Sequence, residues 1–399
     1  MEAPDRTSGG AGPSIPSFDV MRARLLVLSL ALPAAACAPT EASNDALERE
    51  LRALVDSVAA EPGVPGAVLY AYSPSNGLEW SGAAGVSDVA TGEPLRPDQT
   101  VRNASNTKTY VAAAVLRLWE MGRLELDDPV ATYLGDEQVA LLAGDGYDMD
   151  AITIRHLLSH SSGLIDHGSA QEYFGAITAD PARRWTRDEQ LAGAVAWGDP
   201  LWGAGQAYAY SDTGYILLGQ VIENVTGEPL GPAVRDLVGF DALGLDATWW
   251  EIMEAAPATA GARAHQYIGG VDANAWDASL DSYGGGGLVT SSRDLAAFWY
   301  ALFHGRVFDA AATLDTMLTT PLPAADTPYR LGVFVRDLDG LVAYEHSGFW
   351  GTRAVYVPQL DLVVAGAVTE QSSGREVFVM TERAVALIAG ARGALPPGR

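Results

Sequence analysis

Apolar residues recur at positions 47, 51, 54, 55 and 58 of "DALERELRALVDSVAA", the three-to-four spacing of an amphipathic helix. The pattern then shortens. "PGAVLYAYS" and "GLEWSGAAGVSD" flank "PSNG", which predicts a β-hairpin with Asn76-Gly77 in its turn. Four similar runs stand near the other end: "YRLGVFVRD", "GLVAYEHSG", "TRAVYVPQ" and "LDLVVAGAVT", followed by a helical "REVFVMTERAVALIAGA". Between the ends the spacing is mostly helical, over 105–122, 152–159, 186–197, 213–226 and 292–304. Strands at both ends with helices between predict an α/β (α+β) fold. One antiparallel sheet is built from both chain ends, flanked by helices and interrupted by a mostly helical inserted subdomain.

Size adds one expectation to this picture. A chain of 399 residues exceeds a usual single core, so two tightly packed subdomains are expected. With 48% hydrophobic and 19% charged residues the chain has the composition of a soluble globular protein. Its 50 acidic against 25 basic residues leave a net charge of −25, which argues against a nucleic-acid partner, since phosphates are met by clustered cations.

The N-terminus reads as an export signal over 21–37. Arg22 and Arg24 precede the apolar run Leu25–Leu32, then Pro33 and "AAAC" at 34–37. Met21 is a candidate start, which makes residues 1–20 an upstream extension. Cys37, the sole cysteine, sits where bacterial lipoproteins carry a lipid, although Ala34 replaces the usual leucine. Ordinary secretory cleavage near Ala36 or Ala38 is the alternative. Eight apolar residues cannot span a bilayer as a helix, so membrane contact is expected only through a lipid at Cys37. No intrachain disulfide can form. The expected product is exported: periplasmic, a membrane-tethered lipoprotein, or secreted. Residues 38–44 read as a linker, 45–392 as the folded domain, and 9–16 and 393–399 as disordered Pro/Gly-rich ends.

The chemistry begins with a solitary residue. Lys108 is the only lysine, while the other 24 basic residues are arginines. Arginine stays protonated in proteins, whereas a buried lysine can give up its proton, so a site needing proton transfer has reason to keep a lysine. On a helix over 105–122, Ser105 and Lys108 share one face. A serine becomes a good nucleophile when a neighbouring base takes its proton, and a desolvated lysine can be that base. Ser105 is also expected to open the helix, where unpaired N–H groups favour developing negative charge.

Further motifs follow in order: "ITIRHLLSHSSGL" (152–164), "YAYSDTGYILLGQVIENVTG" (208–227), "GGGGLVTSSRDLAAFWYAL" (284–302) and "HSGFWGT" (346–352). Together with S-x-x-K they resemble the serine β-lactamase and penicillin-binding peptidase family over roughly residues 45–392. The branch is the one holding class C β-lactamases, D-Ala-D-Ala carboxypeptidases, D-aminopeptidases and related esterases. The resemblance implies a β-lactamase/transpeptidase-like fold and no cofactor. It makes Ser105 the acyl-accepting nucleophile, Lys108 its base partner and Tyr210 the proton shuttle to the leaving group. His346, Ser347 and Gly348 match the triplet bordering the site, and the backbone N–H groups of Ser105 and Phe349 match the oxyanion hole, where each such donor typically contributes about 3 kcal/mol. Independently of the family, a cation such as Lys108 beside Tyr210 is expected to lower its pKa and let it accept the serine proton.

Two departures bear on substrate. Asp212 stands where the family has an asparagine; ionised, it only accepts hydrogen bonds, holds Lys108 protonated, repels anions and suits an amine. Phe349 stands where carboxylate-binding relatives often carry Thr or Ser, and with Trp350 it suggests an apolar wall. The expected function is therefore an exported serine hydrolase of ester, amide or lactam carbonyls, acting on a small molecule or peptide and leaning to esterase or amidase/peptidase. Class C-like β-lactamase, D-Ala-D-Ala carboxypeptidase and a non-catalytic penicillin-binding or sensing protein are the alternatives. His156 and His160 have metal-like spacing but no HExxH or third ligand, so no metal is expected. The glycine run 284–287 lacks a phosphate loop's lysine and hydroxyl and reads as close backbone packing beside the cleft.

Overall fold

The computed structural model describes residues 41–321 and 327–393. The expected upstream extension, signal segment, Cys37 and the tail beyond residue 393 lie outside the described residues. The N-terminal helix, Glu41–Ala59, begins earlier than its apolar spacing suggested, so the last four residues of the expected linker are helical.

Seven strands form one antiparallel sheet: β1 (Gly66–Ser73), β2 (Leu78–Asp88), β3 (Glu93–Pro94), β4 (Phe334–Leu338), β5 (Leu341–Gly348), β6 (Thr352–Val357) and β7 (Leu362–Val368). Their spatial order, β3-β2-β1-β7-β6-β5-β4, lays the last strand beside the first, with Tyr70 opposite Ala365. The β1–β2 connection is a 3₁₀ turn over Pro74–Asn76, closed by Gly77 at φ 62°, a left-handed position suited to glycine. β4 starts later than the sequence pattern, because Gly332 at φ 88° breaks the run and Arg330 N–H donates to Val333 O across the turn.

β7 is apolar throughout because both faces of the sheet are covered. Leu51 and Val55 of the N-terminal helix and Met380, Ala384 and Ile388 of the C-terminal helix (Arg375–Ala391) pack on one face, against Leu69, Val355 and Val364. Ala296 and Trp299 of helix Ser292–Phe303 pack on the other, against Ala354, Val363 and Ala365. That second core continues unbroken into helices Thr107–Glu120 and Asp212–Thr226. The two expected subdomains therefore share a core, and the described residues belong to one compact unit. A small second sheet, Thr100–Arg102, Leu288–Ser291 and Trp249–Trp250, supports the inserted part.

Helix Thr107–Glu120 falls within the helical span expected over 105–122. Every residue from Tyr110 to Leu116 has 0% exposure, so it is a central helix buried all round. Ser105 precedes it, in a 3₁₀ turn over Ala104–Asn106.

One buried ion pair ties the sheet together next to the future site. Arg353 on β6 donates from Nε to Glu345 on β5 (2.8 Å), and its Nη1 donates to Thr381 Oγ1 (2.8 Å) and Glu382 Oε1 (3.1 Å) on the C-terminal helix. Glu345→Ala leaves the Arg353 guanidinium buried with a half-exposed partner, and is expected to cost about 3 kcal/mol in denaturant unfolding. A loss under about 1 kcal/mol would show that Glu382 alone neutralises Arg353.

Candidate active site

Ser105 owes its position to a sharp turn. Strand Thr100–Arg102 ends at Asn103, whose N–H donates to Leu288 O (2.8 Å), and the next residue, Ala104, takes φ 45°. A left-handed alanine is strained, and such strain concentrates at functional sites. The end of β5 lies directly against this turn. A Cβ at Gly348 would stand 2.3 Å from Asn103 O and 2.4 Å from Thr352 Oγ1, so only glycine allows the approach. The Thr352 hydroxyl donates to Asn103 O (2.9 Å) and locks the strand to the turn.

Lys108 is fully buried, one helical turn from Ser105. Its ammonium faces three acceptors: Ser105 Oγ at 2.9 Å, Gly285 O at 2.5 Å and Asp212 Oδ1 at 2.5 Å. The first two accept hydrogen bonds and the third belongs to an ion pair, surroundings that suit a cation. The glycine run packs as expected: a Cβ at Gly284 would meet Tyr215 O at 2.3 Å, and one at Gly287 would meet Trp250 Nε1 at 2.4 Å. Asp212 is the first residue of its helix, after the Ser211 cap. Burial is the largest influence and works to raise its pKa, but Lys108 together with lesser neighbours outweighs it and holds the carboxyl below the ordinary aspartate value. The helix N-terminus favours the same charge.

Tyr210 lies over Lys108, whose Nζ is 4.9 Å from the ring centre, and Ser105 acts on its hydroxyl to lower its pKa slightly against larger opposing effects. The expected lowering of its pKa is overturned. Burial, and then Asp212, push the phenol well above 10, so in the resting site Tyr210 holds its proton. His346 is also placed differently from expectation. The ring is buried, Nδ1–H donates to Ser347 O (2.8 Å), and Nε2 accepts from Tyr329 Oη (3.1 Å). Burial, and then Lys108, press its pKa down to about 3, leaving it neutral. Its contacts are with the aromatic cluster behind Tyr210, and Ser347 beside it is half-buried.

The cleft above Ser105 is lined by Asp212 and Asp281 on its polar side and by Tyr173, Phe174, Trp276, Phe349 and Trp350 on its apolar side. Phe349 is exposed at the mouth; Trp350 is buried, edge-on to Phe349 at 5.0 Å. Ser105 and Phe349, whose amides the resemblance assigns to the oxyanion hole, thus face one cleft. Asp281 and Asp166 escaped the sequence reading because neither stands in a recognisable motif. Asp166 Oδ1 accepts from the N–H of Asp212 (2.9 Å) and of Gly168 (3.2 Å). Burial, and then the charge of Asp212, raise Asp166 to about 6 and Asp281 to about 7. No group of three or more His, Cys, Asp or Glu among the described residues is placed to hold a metal. His156 is occupied in capping its helix, accepting from Thr153 N–H.

The family model described as Beta-lactamase matches residues 47–388. The chain belongs to the beta-lactamase family of serine hydrolases. Among curated relatives, esterase EstB of Burkholderia gladioli is 36% identical over 214 residues, covering 52% of this chain and 53% of that one. Penicillin-binding protein 4 of Amycolatopsis lactamdurans is 33% identical over 196 residues, 48% of this chain and 46% of that one. The matches thus span about half the length of these relatives. Among solved structures, a D-stereospecific amidohydrolase from Streptomyces sp. superposes with a TM-score of 0.71 and 27% identity, over 84% of this chain and 98% of that one. The D-amino acid amidase from Ochrobactrum anthropi SV3 complexed with D-phenylalanine shares the fold, with a TM-score of 0.74 and 22% identity over 87% and 99% of the chains.

Asp281 supplies a stability test. An unfolded aspartate titrates near 4, whereas the folded one keeps its proton to about 7. Between those values the folded state binds the extra proton, so stability falls as pH rises through the window and is not regained above it. Asp281→Asn removes that penalty. Its melting temperature is expected to exceed the parent's at pH 8, with the gain shrinking to nothing near pH 4; an equal gain at both would exclude titration as the cause.

Proposed function

We propose that the protein is an exported serine hydrolase that acylates Ser105 with an apolar acyl group from an ester or amide and releases it to water. The observation that carries this reading is the 2.9 Å contact between Ser105 Oγ and a Lys108 that is wholly buried and fully paired. The named esterase and amidohydrolase relatives support the ester and amide chemistry. Export rests on the N-terminal pattern alone, with Cys37 as the candidate lipid anchor.

In the resting site Lys108 is an ammonium and Tyr210 a phenol, so neither can take the serine proton. The attacking form is the one in which this pair has lost a proton. Ser105 then gives its proton to the pair as Oγ bonds to the carbonyl carbon, the oxyanion being met by the amides of Ser105 and Phe349. Tyr210 next to the nucleophile returns a proton to the leaving oxygen or nitrogen, and the acyl-enzyme is opened by water.

The cleft's charge favours uncharged or amine-bearing substrates. Its lining includes the ionised Asp212, a second acid, Asp281, that becomes charged above about pH 7, and no basic side chain, so the carboxylate of a penicillin or a peptide C-terminus is disfavoured. A short-chain ester and a D-amino-acid amide are expected to be hydrolysed with an acyl adduct seen by intact mass, absent in Ser105→Ala. Lys108→Arg should fold but lose on the order of 10²–10⁴-fold in turnover. Faster hydrolysis of penicillin than of either substrate would put the protein with the β-lactamases instead, and acylation without turnover would make it a sensor.

Because the active form has lost a proton, kcat/KM should rise with pH on its acid side. After burial, Asp212 is the main influence that holds the proton on Tyr210. Asp212→Asn should therefore move the rising limb of the kcat/KM profile to lower pH, read with a neutral ester. A limb that stays in place would remove Asp212 from control of the pair.

A further inference from the structure

Tyr210 rides on residues 198–211, a stretch with no helix or strand of its own to hold the side chain in place. Several groups pack around it, and one of them, His160 at the turn after helix Ile154–Leu158, touches both its ring and its neighbours' backbone. His160 is buried and takes φ 55°, a left-handed conformation uncommon outside glycine, though histidine is among the residues enriched there. That conformation lets one residue grip the loop twice. The His160 carbonyl accepts from Ala209 N–H (2.9 Å), and its ring Nδ1 accepts from Ser211 N–H (3.1 Å). The N–H groups of the residues on either side of Tyr210 are thus tied to the same side chain and backbone. The ring itself packs on the Tyr210 ring, with centres 4.2 Å apart and planes at 34°.

The ring nitrogens show what this arrangement is for. Nδ1 accepts from a backbone N–H, so it carries no proton, and the neutral ring has its hydrogen on Nε2. Burial, and then the charge of Lys108, keep the ring neutral. Nε2 is buried without a hydrogen-bond partner among the described residues. Leaving a buried polar atom unpaired is unfavourable, so the ring is kept here against a cost. The imidazole adds the flat face against Tyr210. The charged and titratable groups around it are Lys108, His346 and the phenols of Tyr208, Tyr210, Tyr215 and Tyr329, and no carboxylate contacts the ring among its recorded partners.

We propose that His160 is the positioning residue for Tyr210, holding the phenol beside Ser105 by clamping the N–H of the residue on each side of it and by packing on its ring. This rests on the catalytic part given to Tyr210 above. His160 touches no substrate and takes no proton in the reaction.

The test is a double-mutant cycle with ester hydrolysis, thermal unfolding and pH profiles read on the full chain. Tyr210→Phe is the control for the reading beneath the proposal, and its kcat is expected to fall on the order of 10²-fold. His160→Ala in the parent should lower kcat by roughly 10–10²-fold with KM changed less than about threefold, since an ångström of misplacement is costly at a reacting centre. In the Tyr210→Phe background the same change should alter kcat less than about threefold. His160→Asn keeps an acceptor and tolerates the left-handed backbone; it should recover most of the alanine loss and serves as the second variant if alanine fails to fold. The acid limb of the kcat/KM profile should keep its position in both.

Equal losses from the His160 change in the parent and Tyr210→Phe backgrounds would overturn the proposal, as would an unchanged kcat in His160→Ala. A lost acid limb would make His160 a base itself, which also overturns it. If instead Tyr210→Phe keeps full activity, the part given to Tyr210 fails on its own evidence, whatever His160 does.

Discussion

A lysine ammonium shut away from water must be matched donor for donor, and the site is organised around that requirement at Lys108. Its three acceptors come from three distant stretches: the turn before its own helix, the glycine run at 284–287, and the start of helix Asp212–Thr226. Each constrains its surroundings. Gly285 can offer its carbonyl because the chain there lies flat against Tyr215 and Trp250, where side chains would collide. Asp212 can stay ionised in a dry site because Lys108 and the helix N-terminus both favour its charge. Asp166 and Asp281 bear the consequence: next to a settled negative charge they retain their protons to unusually high pH.

The second constraint is the closeness of strand β5 to the nucleophile turn. Gly348 and the left-handed Ala104 bring the strand end and Ser105 together, and the Thr352 hydroxyl fastens them. The buried Arg353–Glu345 pair anchors the same strands from the opposite direction, onto the C-terminal helix. A cleft floor formed this way is rigid, as acyl transfer requires of groups that meet charge as it develops. The walls are aromatic, and the only charges lining them are negative. That combination separates this site from one suited to a carboxylate-bearing substrate, and it follows from two positions, Asp212 and Phe349, that the sequence already marks as unusual.

Much of the site was legible because it is carried by local spacing. Ser105 and Lys108 had to be neighbours on any helix, and the hairpin turn at Asn76-Gly77 had to contain a residue free to adopt positive φ. What was misread has a common cause. The helical spacing over 105–122 gave no sign that residues 110–116 are buried on every side, because that depends on the elements packed around them. His346 was placed at the substrate by its triplet, yet its ring turns inward to Tyr329, a residue no motif connects to it.

The sequence by itself determined the fold class, the meeting of the two chain ends in one sheet, and the Ser105–Lys108 pair, because periodicity and i,i+3 spacing are properties of neighbouring residues. Tertiary structure alone decided the protonation of Tyr210, the raised Asp281 and Asp166, and the clamp of His160 on the loop at 209–211. Each of these depends on burial, and the two aspartates and the clamp also need groups brought together from positions tens of residues apart. Such distances in sequence carry no signal of nearness until the core has closed around them.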